Sequence, residues 1–231
     1  DVESEKRWST RAQELKNKIN TEYWNSETGY YFDTIRKDGS KDPSIRPNAL
    51  VILMTDAAAD SSKETIVLDR IEKDDMTTDW GVRTLSSQDL KYRPTLYHDG
   101  AVWPLVTGWA ALAELKLGRR EQAFRYLQSM ADRILAENGM FAETYRGDRP
   151  EPFNSCILQA WSVGMYAHCF LQFILGMKAD MIRNVMHIEP MIPESLKSVC
   201  GKLEVECPFP YRGVASKCLI TLDPATTTLS L

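Results

Sequence analysis

A chain of 231 residues is long enough for one large domain or one and a half smaller ones. Its 43% hydrophobic and 26% charged residues are those of a globular protein, and a net charge of -4 with scattered basic residues excludes a nucleic-acid surface, which needs a basic patch. The five cysteines (Cys156, Cys169, Cys200, Cys207 and Cys218) lack CxxC spacing, so they read as reduced thiols rather than zinc ligands, and neither metal nor other cofactor is expected.

In chain order, residues 4–20 predict an amphipathic charged helix with Trp8, Ala12, Leu15 and Ile19 on one stripe. After the polar segment 29–47, residues 47–59 are nearly all apolar, and Pro47 suits a first helical turn. Residues 62–73 are charged and amphipathic again, with Ser61 or Ser62 available as a cap. A second polar segment, 75–100, leads into an apolar helix over 101–117, and a charged one follows over 119–136. A third polar segment, 139–154, precedes residues 155–175, which are apolar all round. Residues 155–177 hold no Asp, Glu, Lys or Arg, but Gln159, Ser162, His168 and Gln172 interrupt them and no aromatic belt frames them. They therefore predict a buried core helix and not a membrane span. Beyond Met177, residues 184–189, 202–206 and 214–222 read as short strands punctuated by Pro190, Pro193, Pro208, Pro210 and Pro224. No signal peptide opens the chain, and a cytoplasmic location is the expectation.

Three charged helices thus alternate with three apolar ones. A helix that is apolar all round must be buried on every side, whereas an amphipathic one buries a single stripe. That alternation suits a two-layer helical toroid, and six helices are half of one with twelve. The expected fold is all-α: the C-terminal half of an (α/α)6 toroid over residues 1–180, with a small β-rich segment over 181–231.

Chemistry is expected in the three polar segments, because loops on a rigid scaffold carry function. They hold Arg46, Asp79, Trp80, Arg83, Tyr92, Tyr97, His98, Asp99, Glu143, Tyr145, Arg146 and Asp148, with Trp103 at the start of the helix after the second. Aromatic faces stack on pyranose rings, and charged planar groups hydrogen-bond hydroxyls, so such a rim suits a sugar. Trp and Tyr at loop–helix junctions also serve as plain core plugs. Glu143 is the sharpest candidate, a carboxylate just before the last apolar helix and near Gln159 and Trp161. It suits a general base in glycoside hydrolysis. It also suits a solvated loop glutamate, or a partner of Arg83 or Arg146. His98 beside Asp99 suits ligand binding better than proton transfer.

Several of these segments carry a family likeness. Trp80-Gly-Val-Arg83-Thr-Leu-Ser, Tyr92, Pro94 and Tyr97-His98-Asp99-Gly100-Ala-Val-Trp103-Pro104 resemble the glucosidase domain of glycogen debranching enzymes. So do Phe141-Ala-Glu143, Gln159-Ala-Trp161-Ser162, Ile45-Arg46-Pro47-Asn48 and Ile188-Glu-Pro190 with Ile192-Pro193. The likeness runs from about residue 8 to about 200. It implies an (α/α)6 toroid and an inverting amylo-α-1,6-glucosidase-like activity on α-glucan oligosaccharide or polysaccharide. It further implies Glu143 as general base, with Asp148 the alternative on the same loop. Sugar contacts are expected from Arg46, Trp80, Arg83, Tyr97, His98, Trp103, Tyr145, Gln159 and Trp161. The family's general-acid aspartate, in an upstream Trp- and Met-rich motif, has no counterpart in this sequence. The chain is therefore expected to be a fragment, or to take the N-terminal half of the toroid as its partner. Two other readings fit the same features. One is a different toroid glycosidase or phosphorylase, acting on trehalose, mannose-containing or rhamnose-containing glycans. The other is a non-catalytic carbohydrate-binding or assembly fragment.

Overall fold

The computed structural model describes the chain apart from residues 56, 59, 60, 154, 174, 181, 184, 200–202, 212, 213, 223–226 and 231; side chains are described up to residue 198, except at these positions and at 186. The expected strand starts at Asn184 and Lys202, the end of the third polar segment at Asn154, and the side chains of Cys200, Cys207 and Cys218 lie outside the described residues. Contacts divide the chain into two compact units, Asp1–Cys169 and Phe170–Leu231.

The first unit opens with helix α1, Val2–Lys18, capped by Asp1 and continued by a π-helical turn, Ile19–Tyr23. None of the α1 residues is buried, and Trp8 and Leu15 of the predicted stripe are exposed. Two short hairpins follow, β1 (Trp24–Asn25) with β2 (Tyr30–Tyr31), and β3 (Thr34–Ile35) with β4 (Lys41–Asp42). Helix α2, Ala49–Met54, is shorter than the apolar run over 47–59 and ends where the Thr55 hydroxyl donates to the Val51 carbonyl. Helix α3, Ser61–Ile71, buries Val67, Leu68 and Ile71. A third hairpin, β5 (Thr77–Thr78) with β6 (Gly81–Val82), precedes α4, Pro104–Lys116, and α5, Arg120–Ala136. Pro104 starts α4 because a first-turn residue needs no N–H partner. The α4 helix is enclosed on almost every side, with Val106, Gly108, Ala110, Ala111 and Ala113 all buried.

Helix α6, Ala160–Phe173, packs on α4 through Met165 and Cys169. A side chain at Gly108 would collide with the Met165 side chain, so the missing Cβ is what lets the two helices approach. The expectation that α6 is buried all round is not met. One face packs inward, with Ser162 and Cys169 buried, while Trp161, Val163 and Leu171 are 43%, 52% and 38% exposed. Together with Ala160, Gly164 and Ala167, they make a largely apolar exposed face that also carries His168. An apolar sequence records that a helix can be covered on all sides, and here neighbours cover only one. The helix also starts later than predicted. Phe141 and Leu158 form a parallel bridge, and the Gln159 N–H donates to the Phe141 carbonyl at 3.0 Å, so these residues lie outside the helix.

The second unit holds a hairpin, β7 (Met177–Asp180) with β8 (Val185–Ile188), then a one-turn helix α7, Glu194–Val199. Strands β9 (Leu203–Tyr211), β10 (Val214–Leu222) and β11 (Thr227–Ser230) form an antiparallel sheet in the order β11-β10-β9. The chain is thus helix-rich with several small sheets, not purely helical. Among the described residues no helix is long and apolar enough to cross a membrane.

Candidate active site

The three polar segments meet in the first unit. Val102 exchanges backbone hydrogen bonds with Tyr145 at 2.9 Å in both directions, and bridges tie Arg83 to Val102 and Tyr145 to Pro152. The segments 75–100 and 139–154 also touch at two glycines. A Cβ on Gly147 would run into the Gly100 carbonyl, and the Gly147 N–H donates to Pro94 at 2.8 Å. The first segment joins through Arg46. Its Nη1 donates to the carbonyls of Thr84 (3.3 Å) and His98 (2.5 Å), its Nη2 donates to Asp99 Oδ1 at 2.5 Å, and its Nε lies 3.5 Å from Asp33 Oδ2. Asn48 Nδ2 holds the other Asp33 oxygen at 2.7 Å. Arg46 therefore fixes the turn that presents His98 and Asp99, and most of its donors are spent on protein.

That turn carries an aromatic cluster. Trp103 is 7% exposed, and its indole N–H donates to the Tyr97 carbonyl at 2.9 Å. The Tyr97 ring meets Trp103 edge-on at 4.4 Å, His98 stacks on Trp103 at 5.7 Å, and Trp161 tilts against it at 5.9 Å. The half-buried Glu143 stands beside these rings, and Tyr97 Oη donates to its Oε1 at 2.5 Å. Burial first, and then the Glu143 carboxylate, push the Tyr97 hydroxyl up to about 12, so it keeps its proton at neutral pH and stays a donor. The backbone of Glu143 is held from the other side, its N–H donating to Cys156 O at 2.8 Å. A cavity of about 430 Å³ opens alongside, lined by Asp33, Arg46, Asn48, His98, Trp103 and Trp109 among others. This is the scale of a small-molecule site.

Five of the predicted site residues thus come together: Tyr97, His98, Trp103, Glu143 and Trp161, with Arg46 behind the turn. Trp80 and Arg83 are placed elsewhere, as props for the Glu143 loop. The Trp80 indole N–H donates to Arg146 O at 2.9 Å, and Arg83 Nε donates to Gly147 O at 2.7 Å. Tyr145 is fully buried in the core with Val102, Met130, Phe141 and Ala142, where its ring serves packing. Gln159 contributes its backbone N–H to Phe141 as described. Glu143 pairs with neither Arg83 nor Arg146. Arg146 forks onto Asp148 with bonds of 2.9 and 2.8 Å, and this pairing holds the Asp148 carboxyl below its usual range. Sequence reasoning missed Asp33 and Trp109. Asp33 gains its place only because the β3–β4 hairpin returns the chain to Arg46, and Trp109 lies inside a run that reads as core. Among the described residues no group of three or more His, Cys, Asp or Glu side chains is placed to hold a metal.

A carboxylate at the edge of an aromatic cluster suits a glycoside hydrolase, and the sequence profile that this chain matches gives the same class. The chain belongs to the amylo-alpha-1,6-glucosidase family, whose sequence profile matches residues 1–168. Among solved structures it is similar to one described as a sialidase, with a TM-score of 0.75 at 14% identity over 94% of this chain and 21% of that one. The GH63 mannosylglycerate hydrolase from Thermus thermophilus, in complex with glucose, gives a TM-score of 0.54 at 16% identity over 63% of this chain and 36% of that one. An uncharacterized conserved protein from Thermus thermophilus gives 0.53 at 17% identity over 63% and 36%. At these identities the likeness is one of fold. The chain spans between 21% and 36% of the length of these structures. No match is found among curated proteins.

Proposed function

We propose that this chain carries the general-base side of an inverting glycosidase that removes α-1,6-linked glucosyl branches from glycogen-like α-glucans. The observation that carries the proposal is Glu143, a carboxylate bonded to Tyr97, whose ring packs with His98 and Trp103. In this reading residues 1–180 are half of an (α/α)6 toroid, followed by a β-rich segment over 181–231. The other half supplies the general acid. The apolar exposed face of α6 and the small share of each matched structure that the chain spans support it. In the reaction, water gives a proton to Glu143 and its oxygen bonds to the anomeric carbon. The glycosidic bond breaks with its electron pair on the leaving oxygen, which takes a proton from a second carboxyl group.

The test is turnover of a 6-O-α-glucosyl malto-oligosaccharide by the full-length protein, with the anomer of the released glucose followed by NMR. The expected result is β-glucose, released faster than from the α-1,4-linked isomer. Release of α-glucose, or a preference for a trehalose, mannoside or rhamnoside bond, overturns the proposal in favour of another glycosidase.

The aromatic cluster gives a second expected result. Trp161 is 43% exposed and tilts against Trp103, so a thermal melt first checks the fold of Trp161→Ala. The substitution is expected to weaken binding of the same oligosaccharide by about 1–3 kcal/mol, the scale of one lost aromatic contact. Titration calorimetry on an inactive variant measures it, and an unchanged Kd removes Trp161 from the site.

A further inference from the structure

We propose that Tyr97 is a positioning residue for Glu143 and not a sugar-stacking residue, an inference that rests on the reading of Glu143 as base. Three observations carry it. First, the Tyr97 side chain spends its only proton on Glu143 Oε1, and among the described residues no side chain bonds to Oε2. One carboxylate oxygen is thereby tied, and the other is left to receive the proton of water. Second, Tyr97 is itself held at both ends. Its carbonyl takes the Trp103 indole N–H, its ring lies edge-on to Trp103 and to His98 at 4.4 and 4.8 Å, and the next carbonyl is clamped by Arg46. Third, the hydroxyl keeps its proton at neutral pH, so the contact has one polarity: phenol donates, carboxylate accepts.

A glutamate has three rotatable side-chain bonds and loses their freedom when it is fixed. A base must meet water in one orientation, and small misplacements cost large factors in rate. The phenol supplies that orientation from a turn pinned by Arg46 and Trp103.

The experiment is a double-mutant cycle in the full-length protein, with the 6-O-α-glucosyl malto-oligosaccharide as probe. Phenylalanine keeps the ring and its packing and removes only the donor, and a thermal melt of Tyr97→Phe checks the fold. Tyr97→Phe is expected to lower kcat by about 10–100-fold with KM within about twofold. On top of Glu143→Gln, the same change is expected to have no further effect on kcat, because Tyr97 acts through Glu143. A normal kcat in Tyr97→Phe, a rise in KM alone, or a full additional loss in the Glu143→Gln background each overturns the positioning role while leaving Glu143 as base. Near-normal turnover by Glu143→Gln itself overturns the reading on which the proposal rests, and that result is separate from the other three.

Discussion

Glutamine in place of Glu143, in the full-length protein, is expected to leave the fold and sugar binding in place and to cut turnover by about 10²–10⁴-fold, the size of a general acid–base contribution. The amide keeps the shape of the side chain and accepts the Tyr97 proton through its carbonyl oxygen, so the aromatic cluster around it survives. What it loses is the capacity to take a proton from water. An inverting mechanism places the two carboxyl groups about 6.5–9.5 Å apart with water beside the base, so no neighbouring group steps in. The nearest alternative on the same loop, Asp148, is engaged by the Arg146 guanidinium. Steady-state kinetics with calorimetric binding checks this, and turnover within a few-fold of normal removes Glu143 from the base role and moves attention to Asp99 or Asp148.

The second large effect is expected far from the aromatic cluster, at the junction of α3, α4 and α5. Glu114 is fully buried, with Arg119 Nε 2.9 Å from its Oε2. The same guanidinium also meets Asp69 at 2.8 Å, and it meets Glu72 as well. One cation faces three carboxylates, and the most buried of them holds its proton. Burial raises the Glu114 carboxyl to about 8, Arg119 opposes the shift, and Glu72 and Asp69 add to it. The folded value lies above the unfolded value of 4.5. Stability from the neutral carboxyl is therefore fully present below pH 4.5 and is lost as pH rises through about 8. Glu114→Gln carries the neutral form at every pH. Its stability relative to wild type is expected to grow between pH 5 and pH 8, on the order of 1 kcal/mol per pH unit. Urea unfolding of both proteins across that range measures the difference, in which other titrating groups cancel. Parallel curves show that Glu114 is ionised in the fold.

Local pattern made parts of this molecule legible in advance. The predicted helices over 101–117 and 119–136 match α4 and α5 closely, because a charge-free apolar run gives the one and a charged, amphipathic stretch sets off the other, although Pro104 starts α4 three residues later than expected. The meeting of the three polar segments was also readable, since each precedes an apolar helix. What the residues do there was less so. Arg46 looks like a hydroxyl-binding cation in one dimension, yet His98, Asp99 and Asp33 lie around its guanidinium once the chain folds. Tyr145 has the same residue type as Tyr97 but sits in the core, and only the pairing of Val102 with Tyr145 decides which way it faces. The Tyr97–Glu143 bond joins residues 46 apart, and no spacing rule reaches that far. The two-residue hairpins lack the length that gives alternation a period to detect, and burial on one side of α6 depends on neighbours that its own sequence does not name.

The contact between Gly100 and Gly147 has a consequence for exchanging parts between relatives. The Gly100 carbonyl occupies the space where a side chain at Gly147 would sit, while a side chain at Gly100 would meet the Arg93 carbonyl of its own loop, so the Glu143 loop keeps its shape only against a mate of matching shape. A segment carrying Glu143, transplanted alone from a homologue with a bulkier residue in place of Gly147, would force the two loops apart. The aromatic turn would then lose its register with the carboxylate. Chimaeras that move the stretches around Gly100 and Gly147 together keep the match, so the two behave as one inheritable cassette although 46 residues separate Tyr97 from Glu143 along the chain.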